Sequence, residues 1–319
     1  MSEIHRPSGL LKKMGKRRIG GRSRDGEGFV DGSGARIYYK TLGSGVPLLL
    51  LHGGPGADHS DFLPALQPLA RHCQLVLIDE RGSGRSERLK DPKGYTLSRM
   101  VKDIECVRRH LKLERLVVLG HSFGGILAQA YATRHPNRIL GLVLAGTGSS
   151  AQCIDGDFRN LRKRLPARLR ARLARQEKAG IFQAGGTYKK DYAAASAEAL
   201  APYMYAKPPP ARFKHTPPLG MEVLREMWVR RSDFHIDGNL KGFDFSRSLA
   251  RVKAPSLVVI GDRDLVSTAT ADVSRASLPR ATLVVMAECA HMMFIDQTAR
   301  FNRLLEEFLN CCATRQRHS

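Results

Sequence analysis

Apolar positions in this chain fall into short unbroken runs, separated by glycine-rich turns and by longer stretches with helical spacing. The runs at 46–51, 75–78, 116–119, 139–144, 254–260 and 283–286 are too short for helices and do not alternate with polar residues. That pattern predicts strands buried on both faces. Two more strands are predicted at 29–31 and 36–41, around the turn Asp31-Gly32-Ser33-Gly34. Between the runs, Met100, Val101, Ile104, Val107 and Leu111 mark a helix over 96–111. A second helix is predicted over 126–134, and Ile295, Phe301, Leu304, Leu305 and Phe308 mark a closing helix over 295–309. Strands alternating with helices imply βαβ units and a mostly parallel sheet, here of eight strands.

Between 149 and 248 the alternation stops. Leu161, Leu165, Leu169 and Leu173 recur every fourth residue with arginines between them, an amphipathic helix or two broken at Pro166. Pro208 to Pro210 and Pro217-Pro218 resist regular structure and read as a rigid loop. A stretch this long is more than a connecting loop. It is expected to be a helical cap, with the core formed by 28–148 and 249–312, a basic disordered arm at 1–27 and a tail at 313–319.

Composition narrows the class. The 319 residues are 42% hydrophobic, enough for a large core, and no apolar run reaches the roughly 18 residues of a membrane span. The N-terminus carries charge but no apolar signal segment. The six cysteines match neither a zinc pattern nor a disulfide framework, so a reducing cytoplasm is expected and no metal or cofactor. The net charge of +22 is concentrated at 12–24 and 159–178. These blocks read as a solvated tail and a solvated helix face, with docking to nucleic acid or an anionic surface as the other reading.

The candidate chemistry centres on Gly120-His121-Ser122-Phe123-Gly124, which lies between a predicted strand and a predicted helix. G-x-S-x-G in that context is a nucleophile elbow, a tight turn that holds the serine hydroxyl out at the sheet edge. A serine hydroxyl needs a base, most often histidine, and the histidine needs a carboxylate to fix its tautomer. The order Ser, Asp, His is met by Ser122, Asp264 and His291. Asp262 competes for the acid position, but Gly261-x-x-Asp264 places Asp264 a turn beyond the strand end. The oxyanion donors are expected at Phe123, after the nucleophile, and Gly54, within His52-Gly53-Gly54-Pro55-Gly56. His121 is expected to pack beneath the elbow and His52 to serve as a structural hydrogen bonder.

With these residues in place, the chain resembles the α/β-hydrolase superfamily, and within it the proline iminopeptidase-like serine peptidases. The match rests on residues 52–56, the run Asp79-Glu80-Arg81-Gly82-Ser83-Gly84-Arg85-Ser86, the elbow, Cys289-Ala290-His291-Met292, and residues 233–244. The chain departs from the family at Glu80, where the family carries glutamine. The resemblance implies release of an N-terminal residue, often proline, from short peptides or amides. It also implies acidic residues that grip the substrate's free amine. Asp233 falls on one such position, while a second is occupied by Leu265. Removing a carboxylate should weaken ammonium recognition in a dry pocket. An esterase or amidase for small neutral acyl substrates is therefore the alternative, followed by a non-catalytic binding protein that docks through its basic blocks. Ser122 argues against the epoxide hydrolases and dehalogenases of the same fold, which carry an aspartate there.

Overall fold

The structure, a computed structural model, describes residues 25–213 and 219–316. Most of the expected arm, Pro217-Pro218 and the last residues of the expected tail lie outside the described residues. The strands are β1 (Gly26–Asp31), β2 (Arg36–Gly43), β3 (Val46–Leu51), β4 (Cys73–Ile78), β5 (Leu116–His121), β6 (Ile139–Ala145), β7 (Ser256–Gly261) and β8 (Ala281–Met286). The helices are α1 (Leu63–Leu66), α2 (Leu97–His110), α3 (Phe123–Arg134), α4 (Ala151–Arg164), α5 (Ala167–Lys178), α6 (Lys190–Met204), α7 (Met221–Met227), α8 (Thr268–Ser277), α9 (Met293–Asp296) and α10 (Thr298–Gln316).

The eight strands form one sheet in the order β1-β2-β4-β3-β5-β6-β7-β8. β1 and β2 pair antiparallel, as do β2 and β4, and every other pair is parallel. The sheet is mostly parallel because helical crossovers return the chain to the same end. Along the central strands successive side chains feed opposite layers. Leu49, Leu51, Val76 and Val118 pack on one face with α2 and α3, while Leu48, Leu50, Leu75 and Val117 pack on the other with α1 and α10. Both faces are therefore covered, and the middles of β3 to β7 read as apolar runs.

Several boundaries differ from the sequence reading. β1 begins at Gly26, so two residues assigned to the arm pair with β2. α3 begins at Phe123 rather than 126, because the chain turns into the helix directly after Ser122. The closing helix is split at Gln297 into α9 and α10, and α10 runs on through Gln316, into the expected tail. The amphipathic stretch is two helices, with Pro166 as the N-cap of the second, where its missing N–H costs nothing.

α4 to α7 lie between β6 and β7 and are pinned to the core. The leucines at 161, 165, 169 and 173 join the layer that contains α2 and α3. Asp157 accepts from the Ser267 backbone N–H at 2.9 Å. The carbonyls of Tyr203 and Met204 accept from the amides of His291 and Met292, each at 2.9 Å. Part of the basic block at 159–178 is paired inside this segment. Arg162 binds Glu177 at 2.6 Å and Arg172 binds Glu198 at 3.3 Å.

Candidate active site

The turn after β5 is set by close backbone approach. A methyl on Gly120 would lie 2.1 Å from the Gly124 carbonyl oxygen, and one on Gly124 would lie 2.1 Å from that of Leu51. Only glycine permits both contacts. Between them Ser122 sits at φ 54 and ψ −119, a sparsely populated conformation that costs on the order of 1–3 kcal/mol. Its N–H donates to the Ala145 carbonyl at 2.9 Å, so the elbow is tied to the end of β6. Phe123 opens α3, and the first amides of a helix have no acceptor within it.

His291 and Asp264 meet next to Gly146, the residue that follows β6. His291 Nδ1–H donates to Asp264 Oδ1 at 2.8 Å, with the side chains only 4% and 0% exposed. Asp264 Oδ1 also accepts from the Val266 backbone N–H at 2.9 Å. A methyl on Gly146 would be 3.0 Å from His291 Nδ1 and 3.1 Å from Asp264 Oδ2. Ser122 and the His291–Asp264 pair thus both adjoin Ala145-Gly146. Because the carboxylate engages Nδ1, the basic nitrogen of His291 is Nε2.

The loops that carry the pair are stitched together. Asp262 accepts the backbone N–H groups of Glu288 and Cys289, each at 3.0 Å, and Arg263 N–H donates to the Cys289 carbonyl at 2.9 Å. Asp262 therefore holds the histidine loop while Asp264 touches the histidine itself. Asp296, which the sequence reading did not single out, reinforces this. Its carboxylate accepts from Ala290 at 2.8 Å and from Ala206 at 3.1 Å, joining the histidine loop to the segment after α6.

The glycine loop after β3 closes the site. Gly54 sits at φ +116, which glycine alone tolerates readily. A methyl on the neighbouring Gly53 would lie 3.5 Å from Ser122 Cβ. His121 is buried, and its Nε2–H donates to the His291 carbonyl at 3.0 Å. Burial, with His291 nearby, pushes the His121 pKa well below the ordinary histidine value, so the ring is neutral.

Asp233 lies in the inserted segment. Its carboxylate accepts from the hydroxyls of Tyr188 and Ser196, and its backbone N–H donates to Tyr192 Oη at 2.8 Å. Burial raises its pKa, partly countered by those hydroxyls. The nearby arginines go elsewhere, Arg231 binding Asp237 at 3.2 Å. Leu265 packs against the layer that contains α2 and α3, and with Tyr203, Cys153 and Asp264 it lines a cavity of about 460 Å³. Among the described residues, Asp58, His59 and Asp79 bring metal-ligand types within 4.8 Å of one another. Several of their atoms already bond within the protein. Asp79 accepts from His59 N–H, from His59 Nδ1–H and from Arg85 N–H, and Asp58 caps Ser60.

Comparison with known proteins agrees with this architecture. Residues 46–298 match the family model described as the alpha/beta hydrolase fold. The chain is 30% identical over 293 residues to a proline iminopeptidase of Lactobacillus helveticus, spanning 89% of this chain and 97% of that one. It is 29% identical over 291 residues to one from Heyndrickxia coagulans, spanning 89% and 98%. The crystal structure of VinJ superposes with a TM-score of 0.81 at 24% identity, over 90% of this chain and 99% of that one. Matched along most of its length, the chain belongs to the α/β-hydrolase family as a proline iminopeptidase-like hydrolase.

Proposed function

We propose that the chain is a serine hydrolase that releases an N-terminal residue from small peptides or amides through an acyl-enzyme. Ser122 Oγ attacks the carbonyl carbon while His291 Nε2 takes its proton. Asp264 holds the ring in the Nδ1–H tautomer and stabilises the imidazolium. The N–H groups of Gly54 and Phe123 receive the oxyanion. His291 then protonates the leaving amine, and water, deprotonated by the same ring, releases the acyl group from Ser122. The observation that carries this reading is the buried His291–Asp264 hydrogen bond, set against the strand end to which Ser122 is tied. The inserted α4 to α7 act as a cap, a role supported by the carbonyls of Tyr203 and Met204 that bind the histidine loop.

Substrate choice falls to the cap. Asp233 is the candidate anchor for a free amine, because among the described residues this buried carboxylate is held by two hydroxyls and no cation, and an ammonium supplies one. A second reading, an esterase or amidase for neutral acyl groups, draws on Leu265, an apolar residue where the resembled family places an acid. Proline-p-nitroanilide and p-nitrophenyl butyrate, assayed on wild type, Ser122→Ala and Asp233→Asn, separate the two. The peptidase reading expects the anilide to be preferred, a rise in its KM of about tenfold or more for Asp233→Asn from loss of a charged hydrogen bond, and no turnover by Ser122→Ala. Preference for the butyrate, unchanged by Asp233→Asn, selects the esterase. Turnover surviving in Ser122→Ala removes both.

A further inference from the structure

The described residues hold a second buried histidine–carboxylate pair, beneath the glycine loop. His52 ends β3's run into that loop, and Glu80 follows β4. Their side chains are 0% and 2% exposed. The hydrogen-bonding sense of the His52 ring is fixed by what it touches. Nδ1 lies 2.9 Å from the Gly53 carbonyl oxygen, which can only accept, so Nδ1 carries a hydrogen. Nε2 meets Glu80 Oε2 and also faces the Glu80 backbone N–H at 3.3 Å. Two lone pairs cannot face each other there, so one proton lies between Nε2 and Oε2. It makes either an imidazolium with a carboxylate or a neutral ring with a carboxylic acid.

We propose that His52 and Glu80 form a proton-sharing clamp that positions the Gly53-Gly54 loop over Ser122, and that loss of the shared proton in alkali releases the loop. The inference rests on the reading of Gly54 as an oxyanion donor. Glutamine, which the resembled family carries at this position, would keep the geometry by donating its amide N–H to Nε2. It has no proton to lose, so the chain's glutamate turns a fixed support into a titrating one. His52 touches the loop directly through Gly53, and a methyl on Gly53 would sit 3.5 Å from Ser122 Cβ.

The charged surroundings agree. Burial disfavours the charged His52 ring, but Glu80 overcomes this and lifts its pKa to about 9. Burial raises the Glu80 carboxyl, with His52 opposing. Both directions mean that the pair keeps its proton to higher pH than either group alone. The other groups that face it are Asp79 after β4, Asp61 in the turn before α1, and His121 at the end of β5. Asp79 supports the proton, and its own pKa is lowered, burial being outweighed by the His59 hydrogen bond. His121 is neutral and does not compete. A ring whose pKa rises on folding stabilises fully below its ordinary 6.5 and loses that contribution as pH climbs through about 9.

The test compares wild type with Glu80→Gln. Activity at about pH 10 is divided by activity at about pH 7.5, and thermal midpoints are followed over the same span. The expected ratio is about tenfold lower for wild type, carried by kcat rather than KM, with a midpoint that falls in alkali more steeply than the variant's. Parallel kcat profiles overturn the positioning role, and parallel midpoint curves overturn the shared proton. Should Glu80→Gln not fold, imidazole ¹⁵N resonances of the wild type serve instead. His52 titrating near the ordinary histidine value overturns the proposal. If wild type hydrolyses nothing, the functional reading fails, while the midpoint and ¹⁵N measurements still judge the clamp.

Discussion

The two buried histidine–carboxylate pairs use the same kind of contact to opposite ends. In His291–Asp264 the carboxylate engages Nδ1, which leaves Nε2 as a base. In His52–Glu80 the carboxylate meets Nε2 while Nδ1 is spent on the Gly53 carbonyl, which leaves no nitrogen to accept a proton from a substrate. Burial and a paired acid therefore do not make a histidine catalytic. What matters is which nitrogen the carboxylate occupies and whether the other is left over. The surroundings sharpen the contrast. The first pair sits on two loops, after β7 and β8, stitched by Asp262 and Asp296. The second sits just past the ends of β3 and β4.

The largest effect should come from breaking the first pair. Asp264→Asn keeps the shape but places an amide against Nδ1, which favours the wrong tautomer and directs a hydrogen at Ser122. A loss of about 10⁴-fold in kcat is expected, with little change in KM or in circular dichroism. Steady-state kinetics on the preferred chromogenic substrate check this. A loss under tenfold would show that the acid lies elsewhere and that the two pairs do not differ in the way described.

Much of this contrast could be read from the chain, and the rest could not for identifiable reasons. The strands showed because both faces of the sheet are covered, so Leu48 to Leu51 and Leu116 to Leu119 are apolar without a break. The elbow showed because Gly120 and Gly124 have no substitutes at those separations. Asp264 and His291 follow their strands in an order that the chemistry restricts. The start of α3 did not show, because it depends on the dihedral angles of Ser122 rather than on any helix-forming residue. Glu80 was visible as an unusual residue but its partner was not. His52 lies 28 residues away, and only the parallel pairing of β3 with β4 brings them together. Tyr188 and Ser196 around Asp233 are likewise invisible in the sequence, since the partners come from separate parts of the insertion.

A middle effect is expected from Glu80→Ala, which removes the acid without a substitute. His52 Nε2 then keeps only the backbone N–H of position 80, and the lost acid contact costs about 1 kcal/mol in stability. The Gly53-Gly54 loop loses its support rather than its donor. Since loss of one oxyanion donor typically costs 10²- to 10³-fold, kcat should fall less, about tenfold. Denaturant melts and kinetics at neutral pH test both parts. Full stability with normal kcat would mean that the second pair is an accident of packing.

The smallest effect should come from Asp262→Asn, the acid two residues from the proposed catalytic one. Its two oxygens accept from Glu288 and Cys289, and neither touches the imidazole. An asparagine retains one acceptor oxygen, so one of the two hydrogen bonds survives. The cost should be about 1 kcal/mol of stability, with kcat changed by less than about tenfold through slight displacement of the histidine loop. Measured beside Asp264→Asn, this variant ranks the two acids by their reach to His291. Should Asp262→Asn prove the more damaging for kcat, the Asp264 hydrogen bond would be supporting structure, and the comparison between the two pairs would have to be redrawn around Asp262.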